Sequence, residues 1–429
     1  MESIIQQFRD IKATMRKNEV WRGVDFDAML PEGLTMPGDE MPQAKSYQCN
    51  IPDLNAKRLT IVNGRCVTPY HREADGIGYG SLRDAMSKAH ELTDKMIGKC
   101  DKSDNPYEKI NLEHFLDGAF IYIPEGVKTA PVFQIMSVTD SERPLFLQTR
   151  NLIVCGKGSA LTLIQCDDSI GNNRSMSNNV TEMFCEAESR VHHYKLQNMN
   201  DNSGLLNHNY VVCGAGCEFQ SHVISLNGGH IRNHTEVRLH GEHSDVEVNG
   251  LYLTDKEQEV DNYVFVDHAS PKCNSHELFK GIIDDAGHAT FNGHVLVGEG
   301  SVKTEAYQSN RNILLTDKAT IQSKPFLEIY NDDVKCSHGS TTGQIDEQAM
   351  FYLRSRGISE RTARTLMLYA FCDEVIEKIG IVELRERLSD MVKKRLHGEL
   401  TPCSECALHC SNTCGCNDAP AFEIAPEKL

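Results

Sequence analysis

The chain has no run of about 18 apolar residues, so a membrane-spanning helix is not expected. It also lacks any block of lysines and arginines: 44 basic residues stand against 61 acidic ones, a net charge of −17. Such an acidic balance repels phosphate backbones and anionic headgroups, which argues against nucleic-acid partners and against polybasic contact with a membrane. The opening residues, MESIIQQFRDIKATMRKNEVW, carry charges throughout and offer no apolar core of a secretory signal, so a cytoplasmic location is expected. No G-x-x-x-x-G-K-S/T loop occurs, so ATP hydrolysis by this chain is not expected; its GYG, GKG and GAG fragments read as turns.

Cysteine, by contrast, is plentiful. Of 16 cysteines, eleven are scattered between Cys49 and Cys372 and five crowd into residues 403–416. In a cytoplasmic chain this usage points to reduced thiols or metal ligands rather than a disulfide framework.

The texture of the sequence changes three times. Residues 1–117 read as mixed and mostly helical: residues 2–18 and 81–97 have helical patterns, residues 58–67 form a short hairpin turning at Asn63-Gly64, and Pro31, Pro37, Pro42 and Pro52 mark a loop. Residues 118–343 are a series of short alternating strands, each closed by a Gly, Asn or Asp cluster. A polar turn followed by an alternating strand recurs as CGKGSALTLIQ from Cys155, CEAESRVHHYKLQ from Cys185, CGAGCEFQSHVISLNG from Cys213 and HGEHSDVEVNGLYL from His240, starting 30, 28 and 27 residues apart. DDAGHATFNGHVLV and TDKATIQSKPFLEI continue the series. Repetition at this period, with strands and no intervening helices, predicts a mainly β solenoid, a parallel β-helix whose coils stack because one coil buries too little apolar surface alone. Val246 and Val248 are expected to face inward and Glu247 and Asn249 outward. Residues 344–400 are helical, with Ala363, Leu366, Met367, Ala370 and Phe371 on one stripe behind Ser359 as N-cap, and Ile381, Leu384, Leu388 and Met391 on a second. Residues 401–429 form a cysteine-rich tail.

Two groups carry candidate chemistry. Residues 331–344, NDDVKCSHGSTTGQ, close the strand series. On a strand, Cys336 and His338 project to one face and Lys335 and Ser337 to the other. A thiolate beside an imidazole suits iron, iron–sulfur clusters or zinc. A free thiol is only slightly ionised at neutral pH, so Lys335 or a protonated His338 is the expected source of activating charge. The last coil would expose unpaired strand edges, which makes it a natural protein interface. The second group is Cys403, Cys406, Cys410, Cys414 and Cys416, spaced C-x2-C-x3-C-x3-C-x-C, which could enclose a zinc ion or an iron–sulfur cluster. His192, His193, His222, His230, His234, His240 and His243 are expected on the outer surface. Asp284-Asp285 and Asp332-Asp333 have no spacing that identifies an acid–base pair.

The segments NEVWRGVDFDAM, NPYEKINLEHFLDGAFIYIPEGVKTAPV, EVRLHGEHSDVEVNGLYL and VKCSHGSTTGQIDEQAMFYLRSRGIS resemble the SufB/SufD family of the SUF iron–sulfur cluster assembly system, over most of the chain. The VKCSHG motif and the absence of a longer N-terminal region resemble the SufD type rather than the SufB type. The resemblance implies a right-handed parallel β-helix between helical N- and C-terminal regions, acting as a non-catalytic scaffold. It implies a SufB-type partner joined through the β-helix ends, and a SufC-type ABC ATPase docked on the C-terminal helices, at about residues 348–379. It matches His338 to the SufD-type histidine that acts with a SufB cysteine where a transient iron–sulfur cluster forms, with Cys336 as the neighbouring candidate. The tail cysteines fall outside the family pattern. Two other readings stand beside this one: a SufB-like scaffold working as a homodimer, the form the isolated chain could also take, and a carbohydrate-active β-helix enzyme, since architecture does not fix function.

Overall fold

The computed structural model describes residues 4–21, 23–38, 40–42, 51, 54–88, 91–100 and 105–397. From Ala119 onward the chain alternates between two sheets of ten strands each. The first sheet runs, in spatial order, through Val132–Asp140, Ala160–Ile170, Arg190–Asn198, Glu218–Asn227, Asp245–Thr254, Asn274–Ile283, Thr304–Leu314 and Val334–Gly343. The second runs through Ala119–Ile123, Leu145–Cys155, Ser175–Cys185, Ser203–Cys213, His230–Leu239, Glu259–His268, His288–Val297 and Thr320–Ile329. Successive members of each sheet are parallel, as in Arg190↔Glu218 and Glu218↔Asp245. Each coil therefore gives one strand to each sheet, and the coils stack into the solenoid that the repeat period predicts.

The stack begins earlier in the chain than the strand-rich texture does. Ala56–Val62 pairs parallel with Val132–Asp140 and supplies a rung of the first sheet. It is also one arm of the expected hairpin: Val62 faces Arg65, and Asn63 and Gly64 take φ of 48° and 80°, as a two-residue turn of this type requires.

The turns at one corner repeat one backbone device. Gly158, Glu188, Gly216, His243, Lys272 and Lys303 all have φ near 60°, and the turns are laced by backbone bonds such as Glu188 N to Ala215 O (2.7 Å) and Gly216 N to Glu242 O (2.8 Å). Inside the coils, glycine makes room for rings on neighbouring rungs. A Cβ on Gly250 would lie 2.3 Å from the Phe279 ring, and one on Gly281 2.1 Å from Tyr252.

The core between the sheets is built from the inward set, including Leu161, Val191, Phe219, Val246, Val248 and Phe291. Both outer faces are covered as well. Helices Glu360–Ile376 and Val382–Leu396 lie on the first sheet, where Leu368, Cys372, Val375, Leu384 and Leu388 meet Ile164, Leu196, Ile224 and Leu251. Ser359 caps the longer helix, accepting from Thr362 N at 3.2 Å. Its buried stripe is Ala363, Leu368, Cys372, Val375 and Ile376, whereas Ala370 is exposed, so the expected stripe is rotated around the axis. On the second sheet, Phe8, Trp21, Phe26, Met29 and Tyr107 from the N-terminal region cover Phe146, Met176 and Leu206.

These covers correct the expected surface placement of several residues. Val246 and Val248 face inward and Glu247 reaches the helical tail, in an ion pair with Lys378, but Asn249 is buried under that tail and contacts His222 Nε2 at 3.2 Å. His222 and His234 are buried beneath these covers and His193 inside the lumen, in register with Leu163 of the core, while His240 and His243 are exposed. His193 lies between Ser221 Oγ (2.9 Å) and Gln165 Oε1 (2.7 Å). Burial lowers its pKa to about 3 and that of His222 to about 4, so both are neutral. His234 stacks on Trp21 with ring centroids 5.7 Å apart. A period-two pattern marks which side of a sheet a residue leaves, but not whether a helix from elsewhere in the chain lies over that side.

Candidate functional site at the open end of the solenoid

Val334–Gly343 and Thr320–Ile329 end their sheets, and among the described residues no further strand pairs with their outer edges. Phe326, Ile329 and Tyr330 are exposed there, Phe326 at 53% and Tyr330 at 58%. An uncovered strand edge beside exposed aromatics is a surface on which another chain can add.

Cys336 and His338 leave the same face of the terminal strand, as expected, but in different settings. Cys336 stands in register with Ala306 and is half-buried against the end of the core, as are Val334 and Leu327. Burial pushes its thiol pKa up, so the resting side chain is a neutral thiol. His338, in register with Gln308, is exposed. Lys335 does not activate the thiol. It leaves the opposite face and donates to Glu305 at 2.7 Å, an alternation that separates neighbours along a strand even when they are adjacent in sequence. The remaining candidate cation at the thiol's own face is His338.

Behind His338 the inward column continues through Gln308 to Glu277, where Gln308 Nε2 donates to Glu277 Oε2 at 2.8 Å. Glu277 is fully enclosed, and desolvation raises its pKa to about 8, so it holds a proton at neutral pH. The neighbouring column is polar too. Ser323 Oγ donates to Asn310 Oδ1 and Ser340 Oγ to Ser323 Oγ, both at 2.7 Å, which ties the two terminal strands together. This end of the lumen thus holds a thiol, an imidazole, a neutral carboxylic acid and amides near an opening.

Helix Glu347–Ser355 follows directly. Asp346 caps it, accepting from Gln348 N (2.8 Å) and Ala349 N (3.2 Å). None of its residues is buried, and Phe351 is 74% exposed. The tail cysteines 403, 406, 410, 414 and 416 lie outside the described residues.

A second thiol group was not singled out in the sequence. Cys185, Cys213 and Cys217 are buried in the core, with their Sγ atoms all within 4.8 Å of one another. The signal was present in the repeat itself: Cys155, Cys185 and Cys213 each head a repeat unit, and the structure sets them in register on three successive rungs. Hydrogen bonds from Cys185 and Cys213 lower the pKa of the Cys217 thiol, while the Cys185 and Cys213 thiols are pushed well up.

The chain is similar to proteins of one family. The family model described as SUF system FeS cluster assembly, SufBD core domain, matches residues 137–371, and the model of the SufBD protein N-terminal region matches residues 2–135. The iron–sulfur cluster assembly protein SufD of Escherichia coli (strain K12) is 29% identical over 407 residues, covering 92% of each chain. An iron–sulfur cluster assembly SufBD family protein of Synechocystis is 25% identical over 393 residues, 89% of this chain and 87% of that one. Another, from Mycobacterium tuberculosis (strain H37Rv), is 37% identical over 213 residues, 48% of this chain and 53% of its own length.

Proposed function

Because this chain belongs to the SufBD family of SUF iron–sulfur cluster assembly proteins, and is of the SufD type, we propose that it is a non-catalytic scaffold subunit on which a transient cluster forms at the open end of the solenoid. The observation that carries this reading is the coincidence, on one uncovered rung, of Cys336, His338, free strand edges and exposed Phe326 and Tyr330. The proposed partner there is a SufB-type scaffold, whose own terminal rung would continue both sheets and enclose the thiol and imidazole between subunits. A SufC-type ATPase is proposed to dock on the C-terminal helices, with Phe351 and Tyr352 as exposed anchors. The chain works in this reading as a cytoplasmic protein.

The residues divide the work. Cys336 supplies a thiolate once its proton is lost, and a protonated His338 on the same face favours that loss electrostatically. After giving up its proton, the imidazole is itself a neutral ligand. A neutral ligand in place of a thiolate lowers the negative charge around a cluster and so changes its potential, a property suited to passing the cluster on. ATP-driven motion of the partner would reach this rung through helix Glu347–Ser355, which is joined to the terminal strand by only a short connection.

The test is maturation of a client apoprotein by the assembled complex. His338→Ala and Cys336→Ser should each slow cluster delivery while leaving complex assembly intact. A His338→Ala complex that matures the client at the wild-type rate would remove the role given to the imidazole.

A further inference from the structure

We propose that Cys185, Cys213 and Cys217 form a second metal site, independent of the open end, that takes a soft monovalent cation, copper(I), in all-sulfur three-coordination.

The site is built by the coil geometry. Cys185 and Cys213 are register partners on adjacent parallel rungs, so their side chains point into the core side by side. Cys217 returns to them four residues later, around the turn in which Gly216 has φ of 66° and Cys217 N donates to Gly214 O at 3.2 Å. Three sulfurs at about 2.3 Å from one ion stand about 4 Å apart. The observed spacing, within 4.8 Å, closes to that with shifts of less than an ångström per side chain.

The donor set selects the ion. The three converging ligand atoms are all sulfur, in a core that also holds Val191, Phe219 and Leu239, and the Ser189 hydroxyl donates to Cys217 Sγ at 3.6 Å. Soft thiolates favour copper(I). Zinc would need a fourth ligand, and where protein supplies three, water usually supplies the other; the hydroxyl that reaches the trio, Ser189 Oγ, is already engaged as that donor to Cys217 Sγ. The nearest further thiol in the column, Cys155, is a rung away and engaged with Ser159 Oγ at 3.1 Å. Charge also balances: one monovalent ion entering as one thiol proton leaves keeps the site's net charge unchanged, so binding adds no uncompensated charge to the core. Exposed Glu186, Glu188 and Glu242 on the overlying turns supply a negative rim through which a cation would approach.

The experiment uses the full chain, kept anaerobic and reduced, with the five tail cysteines replaced by serine so that they cannot compete. Copper(I) is titrated against a chromogenic copper(I) chelator, and the bound ion is examined by X-ray absorption. The expected result is one equivalent retained, with three sulfur neighbours. Cys217→Ser in that background should weaken retention by more than about 100-fold, beyond what loss of an outer-shell contact costs. Should that variant lose its β-sheet circular dichroism, Cys185→Ala provides the same comparison. No retained copper(I), retention unchanged in either folded variant, or a site that instead holds zinc with four sulfurs would overturn the proposal. Failure of the open-end reading would leave these measurements unaffected, because neither Cys336 nor His338 takes part.

Discussion

Lys280 Nζ donates to the backbone carbonyl of Phe371 at 2.9 Å, with its ammonium 4.4 Å from the centre of the Phe371 ring and an ion pair to Glu374. The lysine stands on Asn274–Ile283, two rungs inside the terminal strand, and its three contacts all belong to helix Glu360–Ile376. One side chain therefore fastens the helical tail to the part of the solenoid nearest the site. Lys280→Met keeps the apolar stem but leaves the Phe371 carbonyl without its donor. It should destabilise the protein by about 1–3 kcal/mol and speed amide hydrogen exchange in the helix relative to the solenoid. Wild-type exchange in that helix would show that the contact does not fasten it.

The buried carboxylic acid behind His338 makes a pH prediction with a definite sign. Glu277 holds its proton up to about pH 8 in the folded chain, whereas an unfolded glutamate releases it near pH 4.3. Between those values the native state binds more protons, so this residue's contribution to stability falls as pH rises. Glu277→Gln removes the effect and can still accept from Gln308. Its advantage over wild type in urea denaturation should be near zero at pH 4 and grow to a few kcal/mol, on the order of one pKa unit's 1.4 kcal/mol times the units crossed, by pH 7. A difference that does not change with pH would contradict the assignment. His193 and His222 act in the opposite sense: held neutral in the fold, they withdraw stability as pH falls below about 6.5.

Arg150 is completely buried and bonds Glu182 Oε2 at 2.7 Å and Glu108 Oε1 at 2.6 Å, joining the N-terminal helix Pro106–His114 to two rungs of the second sheet. Arg150→Met strands two buried carboxylates. The expected cost is about 3–5 kcal/mol, larger than for Lys280→Met because Glu374 keeps partial exposure and the Arg311 contact. Denaturation midpoints compared for the two variants check the order.

The exposed aromatics at the open end should matter to association and not to folding. Phe326→Asp places a charge on the proposed interface, where it would have to be desolvated on pairing. It should weaken binding to a SufB-type partner by at least about tenfold, the effect of about 1.4 kcal/mol, with unchanged circular dichroism. Undiminished binding in a pull-down or by calorimetry would move the interface elsewhere.

Much of this was legible in the residues. The repeat period fixes the solenoid, because only stacked coils bury strands of that length, and Cys336 and His338 share a face because strand periodicity is two. The contacts that stayed hidden are those between segments far apart in the chain. Asn249 and His222 read as outward positions and are outward, yet the first sheet's outer face is roofed by helices from the C-terminal region; His193 instead faces the lumen, in register with Leu163 of the core. Lys335 read as a charge beside the thiol but is turned away by that same periodicity. The thiol trio needed the register of two rungs and the path of one turn, and sequence spacing shows only the first of these, as cysteines 28 residues apart.

The scaffold role proposed for this chain is decided by anaerobic co-purification with SufB-type and SufC-type partners from the same host, followed by assay of iron and acid-labile sulfide. The expected result is a stoichiometric complex carrying both elements, with less of each when Cys336 and His338 are replaced together. A lone chain without iron or sulfide, or a complex whose content is indifferent to both residues, would contradict it.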